Sequence, residues 1–398
     1  MSALQQRLDA PPIEDDLQDL RRRALRALMT HGFPDLKTEA WKYTSLRQLD
    51  KREAGQDSGS GENQASRPDL PFDATLVELR PGARLPEGVR LEPLTADHLN
   101  DIDYGGREDA FAWLNLARVK QPWCLKISRD TDRPLVLAQT TGEGFSGDRH
   151  SLLRIEVAEG VEATLIDWQH DQGAGLINQV QSVRLGPGSR LDHIVSRRGE
   201  DSAVIQRTQA SVAARADYRF TVLDQGGRLH RHDVLVHLLA EGARGEIDGV
   251  ALIDSQQHVD FHTTIEHTVG PTNSRETFRM LADGSGVGVF NGRIHIHRGA
   301  DDSHSDLNTA NLLLSDSARI NTKPELEIYA EDVTASHGAT IGQLEDAAMF
   351  YLRSRGIPAT EAASLLKRGF AGEPLERIQD ERIRAWLLDV LHAGLSSP

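Results

Sequence analysis

Ile155–Asp167 reads IEVAEGVEATLID, Val183–Val195 reads VRLGPGSRLDHIV, Ala210–Leu223 reads ASVAARADYRFTVL and Val236–Leu252 reads VHLLAEGARGEIDGVAL. Each run holds two short stretches of alternating apolar and polar residues around a turn, the period-2 pattern of strands. Taking Gly160, Gly188, Arg215, Gly242, Gly270 and Gly299 as equivalent corners, the steps are 28, 27, 27, 28 and 29 residues. So constant a spacing marks a solenoid. An α-solenoid needs helical periodicity, which is lacking here, whereas each repeat has room for two or three strands of roughly four to six residues. The expected fold is mainly β: a β-helix whose coils turn apolar residues inward and pair their backbones with the coils above and below. A β-sandwich is the other all-β architecture, and the regular coil length favours the solenoid.

A solenoid leaves unpaired backbone groups at each end. Here the last coil is expected over Asn308–Tyr329, capped or paired with a partner subunit. The chain continues through Asn321–Ile357, NTKPELEIYAEDVTASHGATIGQLEDAAMFYLRSRGI. Its first half alternates like a half-buried strand ending near Glu331, and its second half is helical. Glu345 and Asp346 open that helix, Arg353 and Arg355 close it, and Gly356 ends it before Pro358. Between the halves, Ser336-His337-Gly338 reads as a strand-to-helix hinge. The remaining tail carries two apolar helical stripes separated by Pro374: Leu365, Leu366 and Phe370, then Leu375, Ile378, Ile383, Trp386, Leu387 and Val390. So small a helical pair has limited core, which suggests an outward apolar strip for a partner.

Toward the N-terminus, residues 14–30 form an amphipathic helix with Leu17, Leu20, Ala24, Leu25 and Leu28 on one face and Arg21, Arg22 and Arg23 mostly off it. Trp41 and Tyr43 then read as an aromatic latch holding this arm to the body. The expected organisation is an N-terminal helical region (1–50), a flexible Gly/Ser-rich linker (51–69), a mixed α/β region (70–134), the β-helix core (135–342) and a C-terminal helical domain (343–398).

Among 398 residues, 45 are basic and 60 acidic, a net charge of −15, which argues against nucleic acid or an anionic membrane as the main partner. The single cysteine, Cys124, excludes an internal disulfide framework and fits a reducing compartment. No apolar run is long enough to span a membrane and no export signal stands at the start, so a cytoplasmic location is expected.

Ten of the sixteen histidines lie between His230 and His337. His295 and His297 in RIHIH share one strand face, and two imidazoles so placed can bind a transition metal. A solvated outer face is the simpler reading, because sequence fixes no carboxylate beside them. A GxxHxH run from Gly292 also resembles cupins, which makes a cupin-like metal-dependent enzyme using His295 and His297 the alternative function; no glutamate follows at cupin spacing. Phosphate-binding glycine loops and nucleophile elbows are lacking, so ATPase activity in this chain is not expected.

TKPELEIYAEDV, SHGAT and FYLRSRGI, together with GFP...EAWKYT near the N-terminus, FAWLNLA at Phe111–Ala117 and NLLLS at Asn311–Ser315, closely resemble the SufB/SufD family of the SUF iron-sulfur cluster assembly system, its SufD branch in particular. The resemblance spans nearly the whole chain. It implies a right-handed parallel β-helix between two helical regions, and a noncatalytic scaffold that pairs with a SufB-like subunit through its C-terminal coils. It further implies that the C-terminal helices dock a SufC-like ABC-type ATPase. Thr309, Leu312 and Leu314 are then candidates for the SufB-facing coil, and Phe350, Tyr351, Leu365, Leu366 and Phe370 for the SufC contact. A homodimer is the expected pairing when SufB is absent. SufB carries a cysteine at the position of Thr309 and a His-Glu pair where this chain has His337-Gly338. Ala335 stands where SufD proteins can carry a cysteine. By resemblance, His337 survives as the candidate iron or cluster ligand, with no cofactor held tightly by this chain alone and iron or a nascent cluster held by the complex.

Overall fold

Two stacked parallel sheets, with ten-residue strands where shorter ones are expected, carry the repeat. The computed structural model describes residues 3–9, 13–51, 68–99, 109–142 and 144–396; most of the linker expected over 51–69 lies outside them. An N-terminal part holds α1 (Ala3–Asp9), α2 (Gln18–His31), β1 (Thr75–Leu76), β2 (Val89–Pro93), α3 (Ala96–Leu99), α4 (Ala110–Arg118), β3 (Trp123–Ile127) and β4 (Leu135–Thr141). There follow β5 (Asp148–Val157), β6 (Glu162–Asp171), β7 (Leu176–Leu185), β8 (Arg190–Gly199), β9 (Ala203–Val212), β10 (Asp217–Asp224) and β11 (Leu229–Leu238). The run continues with β12 (Arg244–Ile253), β13 (His258–His267), β14 (Asn273–Ala282), β15 (Val287–Ile296), β16 (Ser303–Leu313), β17 (Arg319–Ile328) and β18 (Val333–Gly342). Three helices close the chain: α5 (Asp346–Ser354), α6 (Ala359–Gly372) and α7 (Glu381–Ser396).

Successive strands alternate between the sheets, so each coil contributes one strand to each. The even-numbered strands from β4 to β18, preceded by β1, make one sheet; the odd-numbered strands from β3 to β17, with β2 on the outer edge, make the other. All pairings are parallel except β2 with β3. The result is a β-solenoid. The register advances by 26 residues from Ala203 to Leu229 and by 32 from Val287 to Arg319, so the turns absorb most of the variation while most strands keep ten residues. Five of the six expected corners, Gly160, Gly188, Arg215, Gly242 and Gly299, have positive φ, the conformation that lets the chain step from one sheet to the other.

Alternation along the strands fills the space between the sheets. Its apolar part stacks Tyr218, Phe220, Ile247, Phe261, Phe278, Phe290 and Leu307, all essentially inaccessible to solvent. A polar stretch interrupts it. Asp167 accepts hydrogen bonds from Gln139, Gln169 and Gln181 at 3.1, 2.9 and 2.7 Å, and Asp224 pairs with Arg197 at 3.3 Å and His230 at 2.8 Å. Such a row survives burial because its members satisfy one another.

The outer faces are covered differently. Helices α2 and α4, with Trp41 and Phe111, pack over Leu152, Val180, Leu176 and Ile205 of the odd-numbered sheet. Buried Arg21, expected off the apolar face, instead reaches the carbonyls of Leu116 and Val119 and the carboxylate of Asp15. Trp41 latches the arm as expected, with the Arg231 guanidinium 4.1 Å above its ring; Tyr43 is exposed and does not. On the other side, Leu375, Ile383, Trp386, Leu387 and Leu391 cover Ile166, Ile194, Leu223, Val250 and Leu281 of the even-numbered sheet.

Candidate functional site

Among the described residues, the two strands that end the solenoid, β17 and β18, each pair on one side only, with β15 and β16 respectively. Ser336-His337-Gly338 lies in the middle of β18, so the expected hinge is a strand and the chain turns into α5 only after Gly342. Alternation does not reveal it because neither face of β18 is well covered, so no apolar face marks it as a strand. Parallel register carries a face from strand to strand. His337 is opposite Leu307 and Ile341 opposite Asn311, both interior positions, while Ile328 is opposite Ile296. At this mouth, therefore, positions that are core elsewhere face solvent: Ile328 is 41% and Ile341 44% exposed. Ser336, on the opposite face from His337, donates to Asp306 of β16.

His337 is itself exposed, and among the described residues it joins no group of three potential metal ligands. This chain supplies one imidazole there.

Of the expected partner-facing coil, Thr309 points inward and hydrogen-bonds with Asn311, while Leu312 and Leu314 lie under the C-terminal helices. The free edge is one coil further on. Along the tail, Phe350 (75% exposed), Tyr351 and Leu365 stand out from the surface, and α5 buries no residue. Leu366 is half-buried. Phe370 packs on the solenoid with the Arg279 guanidinium 5.7 Å from its ring, and Arg279 is fixed by Glu373 at 2.6 Å.

His295 and His297 face outward near the same end, stacked at 4.0 Å with 24° between ring planes. A carboxylate does stand beside them. Glu266 is opposite His295 in register, with Oε2 3.4 Å from His297 Nε2 and Oε1 3.9 Å from His295 Nδ1; His237, opposite Glu266, brings its Nδ1 to 3.5 Å. The His237 and His297 rings hold the Glu266 carboxyl down to about 2, against the opposing effect of burial. Burial, then the charges of His297 and Arg293, lowers the pKa of His295 and favours its neutral form. One signal could have found Glu266: 266 lies 29 residues before 295 and 29 after 237, one coil in each direction. The cupin-like alternative falls on the fold, since cupins are double-sheet jelly rolls of antiparallel strands and this pair sits outside a parallel solenoid.

Residues 140–370 match the family described as SUF system FeS cluster assembly, SufBD core domain. The chain belongs to the SufBD core family. That SufBD core match takes in the solenoid from the end of β4 through β18 and runs on into α6. Among individual relatives, the iron-sulfur cluster assembly protein SufD of Escherichia coli is 29% identical over 390 residues, covering 92% of this chain and 90% of that protein. A SufBD family protein of Mycobacterium bovis is 27% identical over 364 residues, 88% of this chain and 86% of its own length. Another, from Synechocystis, is 36% identical over 204 residues, 50% of this chain and 45% of that protein. No helix among the described residues is long and apolar enough to cross a membrane.

Proposed function

We propose that this chain is a noncatalytic scaffold subunit of an iron-sulfur cluster assembly complex, pairing with a SufB-like subunit through its open solenoid end. One observation carries the reading: the last coil presents two unpaired ten-residue edges and leaves interior positions such as Ile328 and Ile341 in solvent. An exposed edge of that length is a template for another strand, and a second parallel solenoid would continue both the ladders and the apolar stack. His337 then faces the junction between the subunits, where it offers an imidazole to iron or a nascent cluster whose other ligands come from the partner. Phe350, Tyr351 and Leu365 form the surface on which a SufC-like ATPase docks.

The test is co-expression with SufB-like and SufC-like subunits. The wild-type chain should recover both, and His337→Ala should recover both while cluster formation in cells falls severalfold. Undiminished cluster formation in that variant removes the role of His337; failure to recover the SufB-like subunit, with the chain pairing only with itself, removes the heteromeric scaffold. Phe350→Asp should lose the ATPase and keep the SufB-like partner.

A further inference from the structure

We propose that Glu266, His295 and His297 form a binding site for a divalent first-row transition ion on the outer face of the odd-numbered sheet, one and two strands in from its free edge. The inference stands apart from the scaffold reading and from His337. Two imidazoles and one carboxylate are the donors that zinc, iron, cobalt and nickel share, and three protein ligands leave further positions open. Two donors sharing one ion at bonds of about 2.1 Å stand roughly 3.0–3.4 Å apart. Here Glu266 Oε2 is 3.4 Å from His297 Nε2 and its Oε1 is 3.9 Å from His295 Nδ1, and one donor atom from each of the three residues lies within 4.8 Å of the other two, so the ligands must draw together around an ion.

The site is built rather than incidental. Parallel ladders fix Glu266 opposite His295, and the stacked rings direct both imidazoles to the same carboxylate. His237 stands on the other side of Glu266 and holds that carboxylate in place, the role an outer partner plays for a metal ligand. His297 Nε2 has no hydrogen-bond partner among the described residues, although it is the atom aimed at Glu266. One neighbour opposes a cation: Arg293 donates to His295 Nδ1 at 3.0 Å and also lies 3.2 Å from Glu327. An ion taking His295 Nδ1 displaces this guanidinium onto Glu327, which is already its ion-pair partner.

The experiment titrates Co²⁺ into the tag-free, chelator-treated full-length chain and follows ligand-field absorption. One ion per chain is expected, displaced by Zn²⁺. Glu266→Gln and His297→Gln should each weaken binding by about tenfold or more, with unfolding curves matching wild type, and His337→Ala should leave it unchanged. On the wild-type chain itself, imidazole NMR should show Zn²⁺ moving the His295 and His297 signals. Absence of saturable absorption, equal affinity in Glu266→Gln, or NMR shifts confined to other histidines overturns the site.

Discussion

The two ends of the solenoid are finished in opposite ways. At the N-terminal end the odd-numbered sheet stops on β2, five residues long, antiparallel to β3 and ending at Pro93, with Arg90 and Glu92 along it; the even-numbered sheet stops on the two residues of β1. Edges of two and five residues leave little ladder for another chain to pair with. At the C-terminal end both edges run ten residues, and apolar interior positions remain uncovered. One sequence contains both solutions. The open end leaves interior positions in solvent, as the proposed continuation by a partner requires, whereas the closed end packs its side chains into its own core.

The sharpest way to break this contrast is to damage each end and ask what is lost. At the closed end Leu125, in β3, is fully buried in the interior cluster. Leu125→Ala should lower unfolding stability by about 2–5 kcal/mol in a denaturant titration, while co-purification of a SufB-like partner by the chain that remains folded is unaltered. A loss near zero would mean that the capped end is as loosely packed as the open one.

A second measurement asks how far solvent reaches inward from the mouth. Glu276 lies on β14, two strands from the free edge β18, and among the described residues neither carboxyl oxygen meets full hydrogen-bond geometry, Thr263 being its one polar neighbour to ease the burial. Burial pushes its pKa up from 4.5 to about 8. A raised carboxyl pKa means the folded state holds the proton that the unfolded state has released. Stability is thus full below about 4.5 and falls as pH rises toward 8, by about 1.4 kcal/mol per unit. Relative to Glu276→Gln, the wild-type chain should lose on the order of 3 kcal/mol between pH 4.5 and 7. Parallel pH profiles for the two proteins would show that water enters from the open end and solvates this carboxylate.

Legibility in the sequence followed the same division. Corners at Gly160, Gly188, Arg215, Gly242 and Gly299 were readable because a turn needing positive φ leaves a residue signature at fixed spacing. Helices α2 and α7 were readable from apolar stripes that the sheets cover, and α6 from a stripe of which Phe370 alone packs on the solenoid while Leu365 is exposed. Strand lengths were not, since polar residues such as Asp167, Gln206 and His232 occupy interior positions and break the alternation. β18 reads as a hinge in the sequence because neither of its faces is buried among the described residues, so it lacks the apolar alternation of a covered strand. Glu266 escapes notice because proximity across a coil appears only when the period is applied to individual side chains; Thr309, Leu312 and Leu314 lie on β16 or just after it, with β18 pairing beyond them.

The smallest effect on the fold should bring a large one on assembly. Ile341 is an interior position without an interior, so Ile341→Lys exposes nothing new and removes little packing within this chain. Its unfolding stability should stay within about 0.5 kcal/mol of wild type. Continuation of the solenoid by a partner would bury that lysine against an apolar stack, and burying an unpaired charge is costly. Association with the SufB-like subunit, measured by sedimentation, should weaken at least about tenfold, equivalent to about 1.4 kcal/mol. Thr334→Lys is the control: Thr334 is opposite His304, on the outer face of the same edge, where lysine remains in water on either side of the equilibrium. If both variants lose the partner equally, docking uses the outer face; if Ile341→Lys alone retains it, the interior stack does not continue across the junction.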